Sequence, residues 1–409
     1  MIHVCFGLHD KTGRYAKFTG TAMLSIFENT SSNVTVHILH DKTLTQDNRE
    51  KFIYLAGEYH QLIKFYNVGE LCADKITEFR QRIPAIETAW STIGTFFKLL
   101  IPQVLPSDIA KCIYLDSDMV VNLDIQELWK TNIDDKPLAA VPEIEATPQQ
   151  HTKYSQGIIK AGFVKFEDYF NSSMLVMNLK FLRGNEELLM SGVKWRGEHQ
   201  ECWCFDNDIW NYLFSKNYVE LPAKFNIFVR DARVRNEKNF LQAIYHYADS
   251  GNGKGFLLEM HDSFNRLWMK YFMKTPWFDE ETIGRLYSGV QNLHVSLKQS
   301  MVNLSAILSG KTRAFFTPPR DVDGLKKFFS IRDDEEIILA ENQTSLQKLI
   351  DAMKNSQGKK VFFIMLPNFP YQALIQAGFV PNRDFLNGLE FLSEAQGVPL
   401  NSYQFIKAM

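Results

Sequence analysis

Apolar runs of strand length alternate with helix-like segments through the first part of the chain, and this alternation limits the fold more than any other feature. The strand-like runs are Val4–Leu8, Val34–Leu39, Leu62–Tyr66 and Lys111–Leu115, and the helix-like segments between them are Thr19–Asn29, Thr45–Glu58 and Thr95–Leu105. Such alternation predicts an α/β fold with a mainly parallel sheet that helices cover on both faces. Because ligands bind beyond the carboxyl ends of parallel strands, we expect a site near residues 7–15 and 116–118.

A second, smaller alternation follows a long amphipathic stretch. Apolar residues recur every three or four positions from Ile283 to Leu308, which predicts a connecting helix over residues 281–309 that ends at Gly310. Beyond it lie three strand-like runs and two helix-like segments, namely Ala314–Thr317, Glu336–Ala340, Lys360–Leu366, Ser345–Asn355 and Tyr371–Ala377.

The chain is therefore predicted to contain two domains, a first over residues 1–280 and a small C-terminal α/β domain over residues 310–409, which is a common domain size. Pro318 and Pro319 stand where a dinucleotide-binding domain has its glycine-rich turn, so the small domain is assigned no dinucleotide and no role. Residues 281–409 also offer a surface through which the chain could form an oligomer.

Composition excludes several classes of protein. The formal net charge of −2 gives no electrostatic reason to expect a nucleic-acid or anionic-membrane partner. No window approaches 18 uncharged apolar residues, so no membrane span is expected, and the N-terminus reads as a strand rather than a signal peptide. The five cysteines lack zinc-site spacing and fit reduced thiols in a cytoplasmic protein.

Two carboxylates, Asp116 and Asp118, directly follow the strand-like run that ends at Leu115. In an extended backbone, residues two positions apart point to the same side, so both acids can face one hard cation. Mn²⁺ and Mg²⁺ are such cations, and phosphate oxygens could supply their other ligands. The alternative is a polar turn that closes a hairpin, and the tripeptide alone does not decide between the two.

An ordered set of motifs resembles glycosyltransferase family 8, the retaining sugar-nucleotide enzymes that include lipooligosaccharide galactosyltransferases and glycogenin. After the first strand, loop and helix, the set contains Leu115-Asp116-Ser117-Asp118, Phe170-Asn171-Ser172-Ser173, Phe205-Asp206-Asn207-Asp208 and Tyr245-His246-Tyr247. The resemblance covers about residues 1–280, and the ordered set is far more specific than any one member. It implies a GT-A fold, which is Rossmann-like, a UDP-hexose donor and Mn²⁺.

The resemblance implies three metal ligands. Asp116 and Asp118 match the family's Asp-x-Asp motif, and His246 matches its third protein ligand. An imidazole nitrogen suits Mn²⁺, and Mg²⁺ is the alternative ion. A single histidine among aromatic residues is otherwise a hydrogen-bonded core residue, so the ligand role depends on the Asp-x-Asp motif.

The resemblance also implies contacts to the nucleotide. Asp10 and Tyr15 match the loop that grips uracil, and Gly7 permits close backbone approach. Lys98 stands where the family commonly has an arginine. In the family, a glycine precedes a diphosphate-binding lysine by three positions, and Gly251 and Lys254 keep this spacing. The Pro-Trp that usually follows the lysine is absent.

Four polar residues match the part of the site that holds the donor sugar. Asn171 and Asp206 match residues that contact the sugar, and Glu143 matches another sugar-binding acid. Asn207 occupies the position of a glutamine in many relatives, so Asn171, Asp206 and Asn207 form the predicted catalytic group. Asp208 begins a helix, where an acid acts as a cap.

These matches predict a retaining, metal-assisted hexosyltransferase that moves galactose or glucose from a UDP-sugar to a glycan or glycosylated-protein acceptor in the cytoplasm. Retention would follow from same-face attack by the acceptor, since Asn207 is a poor nucleophile, or from a covalent sugar–enzyme intermediate. Two other classes stay open: a sugar-nucleotide-binding protein without transfer activity, and an assembly scaffold that acts through its C-terminal part.

Overall fold

The chain divides into two compact units, Met1–Asp279 and Glu280–Met409. The computed structural model describes residues 1–13, 15–83, 86–87, 92–143, 156–202, 204–234, 240–248, 263–280, 282–284, 288, 304–329, 331–341, 344–366 and 369–389. The predicted helix over residues 281–309 therefore lies mostly outside the described residues. Within the described part of the chain, no helix is long and apolar enough to cross a membrane.

The larger unit is built on a mainly parallel seven-stranded sheet with the order β3-β2-β1-β4-β7-β6-β8. Its strands are β1 (Ile2–Leu8), β2 (Val34–His40), β3 (Leu62–Asn67), β4 (Lys111–Leu115), β6 (Leu138–Pro142), β7 (Phe170–Asn178) and β8 (Val219–Glu220). Strands β1 to β4 run parallel, whereas β7 runs antiparallel to both β4 and β6. The α/β fold with a mainly parallel sheet, predicted from the alternation, is confirmed.

A small second sheet lies at the carboxyl end of β4. It contains β5 (Met119–Val121), β9 (Ile227–Phe228) and β10 (Ile244–His246), in the order β5-β10-β9. β10 runs antiparallel to β5, and His246 lies opposite Met119. Because the chain passes from β4 through Asp116–Asp118 directly into β5, this pairing brings His246 beside the two acids.

Alternate residues of β1 enter two separate cores, one on each face of the sheet. Val4 and Phe6 belong to the first core, and Cys5 belongs to the second. The helices of this unit are α1 (Ala16–Asn29), α2 (Gln46–Glu58), α3 (Val68–Leu71), α4 (Ala73–Arg82), α5 (Ile101–Val104), α6 (Gln126–Trp129), α7 (Gln156–Lys160), α8 (Leu179–Arg183), α9 (Glu186–Glu198), α10 (Phe205–Phe214), α11 (Val229–Val234) and α12 (Ser263–Phe272). Thr45 caps α2 as predicted, because its hydroxyl accepts a hydrogen bond from the Asn48 N–H at 3.2 Å.

The helix predicted over Thr95–Leu105 differs from the observed structure in type. Residues Ile93–Leu100 form a 3₁₀-helix, and a short α-helix, α5, follows it. The Thr92 hydroxyl accepts a hydrogen bond from the Gly94 N–H at 3.2 Å and starts the tight turn. Pro102, at the start of α5, fits a first helical turn and has no N–H to continue the preceding hydrogen-bond pattern.

The smaller unit contains a four-stranded parallel sheet with the order β12-β11-β13-β14. Its strands are β11 (Thr312–Thr317), β12 (Glu336–Leu339), β13 (Lys360–Ile364) and β14 (Phe385–Asn387), and its helices are α13 (Val322–Phe329), α14 (Ser345–Asn355) and α15 (Tyr371–Gln376). The predicted strands and helices are present here. The short strand β14 was missed because three residues carry too little periodicity.

Candidate active site

Main-chain hydrogen bonds fix both ends of the Asp-x-Asp segment. The Asp116 N–H donates to the Ser173 carbonyl at 2.8 Å, and the Tyr247 N–H donates to the Asp118 carbonyl at 2.8 Å. The second bond continues the pairing of β5 with β10, so His246 Nε2 lies 3.5 Å from Asp118 Oδ1. The fold thus brings together the three residues that the sequence predicts as metal ligands.

The three side chains fit a divalent cation. One ligand atom from each of Asp116, Asp118 and His246 lies within 4.8 Å of the other two, and no other such trio of acidic, histidine or cysteine side chains occurs among the described residues. Two carboxylate oxygens and one imidazole nitrogen suit an ion such as Mn²⁺. Asp118 and His246 are both buried, and a buried carboxylate needs a positive partner.

Lys98 is a buried cation at the centre of the site, and its side chain is only 1% exposed. Its Nζ lies 2.8 Å from Asp206 Oδ2 and 3.5 Å from Asp116 Oδ1, and it donates to the Ser172 carbonyl at 3.1 Å. Burial disfavours the ammonium, but the two carboxylates outweigh that effect, so the pKa of Lys98 lies above its ordinary value. Lys98 therefore stays charged and links Asp116, a predicted metal ligand, to Asp206, a predicted sugar-binding acid.

Ser172 of β7 forms hydrogen bonds with the side chains of Asp206 and Asn207 in the first turn of α10. Its hydroxyl donates to Asp206 Oδ2 at 3.0 Å, and its N–H donates to Asn207 Oδ1 at 2.6 Å. Burial raises the pKa of Asp206, and Lys98 opposes that rise. Asn207 Nδ2 also donates to the Tyr169 hydroxyl at 2.7 Å, so both polar ends of the Asn207 side chain bind protein groups.

Asp208 is hydrogen-bonded at the start of α10. The Tyr169 hydroxyl donates to Asp208 Oδ1 at 3.0 Å, and the Cys204 N–H donates to Asp208 Oδ2 at 2.7 Å. Burial raises the pKa of Asp208 to about 6 even though these two bonds favour the carboxylate. Its bond to a main-chain N–H at the helix start matches the predicted cap.

Two residues predicted to bind the donor sugar, Asn171 and Glu143, lie in contact. Asn171 Nδ2 donates to Glu143 Oε2 at 3.1 Å, and Asn171 Oδ1 accepts from the Ser173 N–H at 3.1 Å. Asn226, which the sequence analysis did not select, donates to the same Asn171 oxygen at 2.9 Å and contacts His246. The sugar-binding and metal-binding candidates therefore share one buried polar network.

The loop after β1 is held by an acid whose contacts are internal. Asp10 is buried, and its carboxylate accepts hydrogen bonds from the N–H groups of Tyr15 at 2.7 Å and Ala16 at 3.0 Å. Asn48 Nδ2 donates to it at 3.3 Å, and Trp277 Nε1 donates to Asn48 Oδ1 at 2.8 Å. The geometry gives Asp10 the position of a cap on α1, and its uracil contact stays a prediction.

Two further features lie at the ends of β1 and β2. A Cβ on Gly7 would lie 2.9 Å from the Gly94 carbonyl oxygen, so this glycine admits the protein's own backbone. His9, which the sequence analysis missed, lies with Nδ1 2.7 Å from Asp41 Oδ2. Burial would raise the pKa of Asp41, but hydrogen bonds from His9 and Thr43 lower it to about 2.

Sequence reasoning missed residues whose partners are distant in the chain. Asn226 and Tyr169 belong to no motif used above, and each acts by contacting a residue on another element. The one local signal was the polar residue Asn226 next to aromatic Phe225, just before a short strand. Lys254 lies outside the described residues, so its diphosphate contact stays a prediction.

The mainly parallel sheet, with an Asp-x-Asp motif at the carboxyl end of an inner strand and a histidine beside it, defines a glycosyltransferase of the GT-A fold. The model of Glycosyl transferase family 8 matches residues 8–254. Since the match covers more than half of the chain, the protein belongs to glycosyltransferase family 8.

Individual relatives agree with this assignment. A glycosyltransferase of Haemophilus influenzae is 26% identical over 228 residues, which cover 56% of this chain and 64% of that protein. The lipopolysaccharide 1,2-glucosyltransferase of Escherichia coli is 24% identical over 249 residues, which cover 58% of this chain and 66% of that protein. The chain thus matches slightly less than two thirds of the length of each.

A solved structure of the galactosyltransferase LgtC, in complex with donor and acceptor sugar analogues, is similar with a TM-score of 0.53 and 21% identity. The superposition covers 69% of this chain and 99% of that one. This similarity confirms the GT-A fold, and the smaller unit is an addition to it.

Proposed function

We propose that this protein is a retaining hexosyltransferase that moves galactose or glucose from a UDP-sugar to a glycan or glycoprotein acceptor, assisted by Mn²⁺ or Mg²⁺. The observation that carries the proposal is the cluster of Asp116, Asp118 and His246 at the carboxyl edge of the sheet. The similarity to a lipopolysaccharide glucosyltransferase and to a galactosyltransferase supports a hexose donor and a glycan acceptor.

The chemistry requires the diphosphate to leave with its negative charge neutralised. A divalent cation held by Asp116, Asp118 and His246 would supply that neutralisation. Lys98 is charged but is engaged with two carboxylates, so its contribution is to hold them in position. Lys254 is the proposed second positive charge near the diphosphate, on the basis of its spacing in the sequence.

Polar groups beside the metal-binding cluster would orient the hexose. Lys98 and Ser172 fix the Asp206 carboxylate, which can then accept a hydrogen bond from a sugar hydroxyl. Asn171 and Glu143 lie in contact and offer further polar atoms to the sugar. We assign Asn207 a bracing role, because both of its polar ends are bonded within the protein.

For retention we favour attack by the acceptor hydroxyl on the same face of the sugar that the UDP leaves. The hydroxyl proton would pass to the departing phosphate oxygen as the new glycosidic bond forms. A covalent intermediate needs a free nucleophile, whereas Asp206 is ion-paired and Asn207 is an amide. Isolation of a sugar bonded to Asp206 or Asn207 would overturn the same-face mechanism.

The test is a panel of UDP-sugars incubated with the protein and Mn²⁺, with free UDP as the readout. We expect UDP-galactose or UDP-glucose to release UDP slowly even without an acceptor, because water can take the place of the acceptor hydroxyl. Release must stop in excess chelator and return when Mn²⁺ is added back. Full activity in chelator would remove the metal from the proposal.

The same panel separates the two alternative functions. If the protein binds UDP in a titration but releases no UDP from any donor, with or without a glycan acceptor, it is a sugar-nucleotide-binding protein. Loss of association, with donor turnover kept, after truncation near Gly310 would assign residues 310–409 to oligomer formation. A cytoplasmic location remains part of the proposal and is supported by the five free cysteines.

A further inference from the structure

Four buried side chains form a continuous series of hydrogen bonds from a predicted sugar-binding acid to the third predicted metal ligand. Asn171 Nδ2 donates to Glu143 Oε2 at 3.1 Å, and Asn226 Nδ2 donates to Asn171 Oδ1 at 2.9 Å. Asn226 Oδ1 then lies 3.1 Å from His246 Nδ1. Asn226 has no exposed surface, so its amide serves contacts inside the protein.

The direction of each bond follows from one group that can only donate. The main-chain N–H of Ser173 donates to Asn171 Oδ1 at 3.1 Å, so that atom is the amide oxygen. The Asn226 atom that meets this oxygen must be Nδ2, because two oxygens without a proton cannot bond. Asn226 Oδ1 therefore faces His246, and His246 Nδ1 must carry the proton of their hydrogen bond.

We propose that Asn226 is a positioning residue that holds His246 in its Nδ1–H tautomer and couples the metal-binding end of the site to the sugar-binding end. With the proton on Nδ1, the lone pair of Nε2 is on the side of Asp118, whose Oδ1 is 3.5 Å away. The Phe228 ring centre lies 4.5 Å from that of His246 and restricts rotation of the imidazole. This inference rests on the proposed function, because it requires His246 to bind a metal.

The two halves of the Asn226 amide have separable roles. Its oxygen orients His246, and its NH₂ group orients Asn171 and, through Asn171, Glu143. A substitution that keeps an acceptor but removes the donor should therefore disturb the sugar end alone. A substitution that removes both should disturb both ends.

The experiment compares Asn226→Asp with Asn226→Leu in the full-length protein. Mn²⁺ affinity is measured by titration in the presence of UDP, and kcat and KM are measured for the donor that the panel identifies. For Asn226→Leu we expect Mn²⁺ affinity to fall about 10- to 100-fold. For Asn226→Asp we expect Mn²⁺ affinity at least equal to wild type, because a carboxylate accepts from Nδ1–H, together with a lower kcat/KM for the donor.

The control is Asn178→Leu, at the far end of β7. Asn178 Nδ2 donates to the Ile133 and Lys136 carbonyls, so its loss removes half-buried hydrogen bonds without touching the network. We expect this variant to lose stability and keep wild-type Mn²⁺ affinity. Equal Mn²⁺ affinities in the Asp and Leu variants of Asn226 would overturn the proposal.

The tautomer can also be read directly in the wild-type protein. The ¹⁵N chemical shifts of His246, assigned by comparison with His246→Gln, should show a protonated Nδ1. A bare Nδ1 would overturn the proposal even if Asn226→Leu fails to fold. If wild type neither binds Mn²⁺ nor releases UDP, the proposed function fails; if wild type does both and the Asn226 variants match it, the coupling alone fails.

Discussion

Each unit of this protein has a buried, ion-paired carboxylate at one edge of its main sheet, and the two edges are opposite with respect to strand direction. In the larger unit, Lys98, Asp206 and Asp116 meet at the carboxyl edge, the side where β1 and β4 end. In the smaller unit, Arg313 near the start of β11 binds Glu335, which precedes β12, so this pair lies at the amino edge. The carboxyl edge of the smaller sheet continues instead from Thr317 into two prolines.

This difference separates function from stability. Ligands of parallel α/β sheets bind at the carboxyl edge, so the charges gathered there lie at the proposed substrate site. The side chain of Glu335 is fully buried and Arg313 holds it with bonds of 2.5 and 2.7 Å, an arrangement that satisfies charge inside the protein. Substitutions at the first edge should change turnover, and substitutions at the second should change unfolding.

The largest effect is expected from Asp118→Ala. Removal of one proposed metal ligand should lower UDP release by at least about 10³-fold, because charge on the leaving diphosphate is no longer neutralised. The fold should persist, since the Asp118 main-chain carbonyl still accepts from the Tyr247 N–H. The matched control is Asp124→Ala. Asp124 lies shortly after β5 and accepts hydrogen bonds from Thr30 and Gln126, outside the cluster. Full activity in Asp118→Ala would contradict the assignment of turnover to the carboxyl edge of the larger sheet.

A second large effect is expected from Lys98→Met, which removes the cation between Asp116 and Asp206. We expect turnover to fall about 10²-fold, because the two acids lose their fixed positions. The free energy of unfolding should fall by about 3–5 kcal/mol, because the buried Asp206 carboxylate is left without its cationic partner. Lys98→Arg keeps the charge and should recover part of both losses. A variant that loses stability but keeps turnover would show that Lys98 belongs with the structural charges.

Local patterns in the sequence were sufficient to predict β1 to β4 and β11 to β13, whereas the short strands β5, β8, β9, β10 and β14 carried too little signal. The inner strands β1, β2 and β4 are buried along most of their length, as inner parallel strands require, whereas β3 lies at the sheet edge and is partly exposed. The segment before β4 was predicted as an α-helix because its apolar residues have helical spacing, but Gly94 and Pro102 at its ends favour a 3₁₀-helix followed by a new turn.

The polar network of the site could be predicted only in part. Asp116 and Asp118 lie two positions apart, and the extended backbone assumed for them is not observed, because residues 117 and 118 form a turn between β4 and β5. His246 entered through family resemblance, and its place beside Asp118 follows from the pairing of β5 with β10, which sequence spacing does not encode. Asn226 bonds a residue of β7 and a residue of β10, and no local signal connects the three.

A smaller effect is expected from Asp208→Asn, which tests what a buried acid at the carboxyl edge does to stability. Burial raises the pKa of Asp208 from its ordinary value of 3.8 to about 6, so the folded state holds this proton more tightly than the unfolded state. Stability from this group is present below about pH 4 and is lost as pH rises through about 6, by about 3 kcal/mol in total.

Asparagine cannot lose a proton, so the variant should show a flatter stability profile between pH 4 and 6. Above pH 6 the free energy of unfolding of the variant should gain about 3 kcal/mol relative to wild type from the missing charge. The loss of one hydrogen bond should take away about 1 kcal/mol of that gain. Urea unfolding across this pH range measures the effect, and Asp41→Asn serves as a control because the pKa of Asp41 is lowered to about 2. Parallel profiles for wild type and Asp208→Asn would contradict the assignment.

The smallest effect on turnover is expected from Arg313→Met, at the amino edge of the smaller sheet. Loss of the bonds to Glu335 should destabilise the smaller unit by about 2–3 kcal/mol, because hydrogen bonds to charged groups are removed. Faster hydrogen exchange of the β11 amides would report this loss, while UDP release should stay at the wild-type rate. The double variant Arg313→Met, Glu335→Leu should recover part of this stability, since the buried carboxylate is removed, while the Arg332 N–H loses its acceptor. The contrary outcome is a fall in UDP release that accompanies the faster hydrogen exchange of β11 and that the double variant reverses. That result would show that the smaller unit takes part in donor turnover.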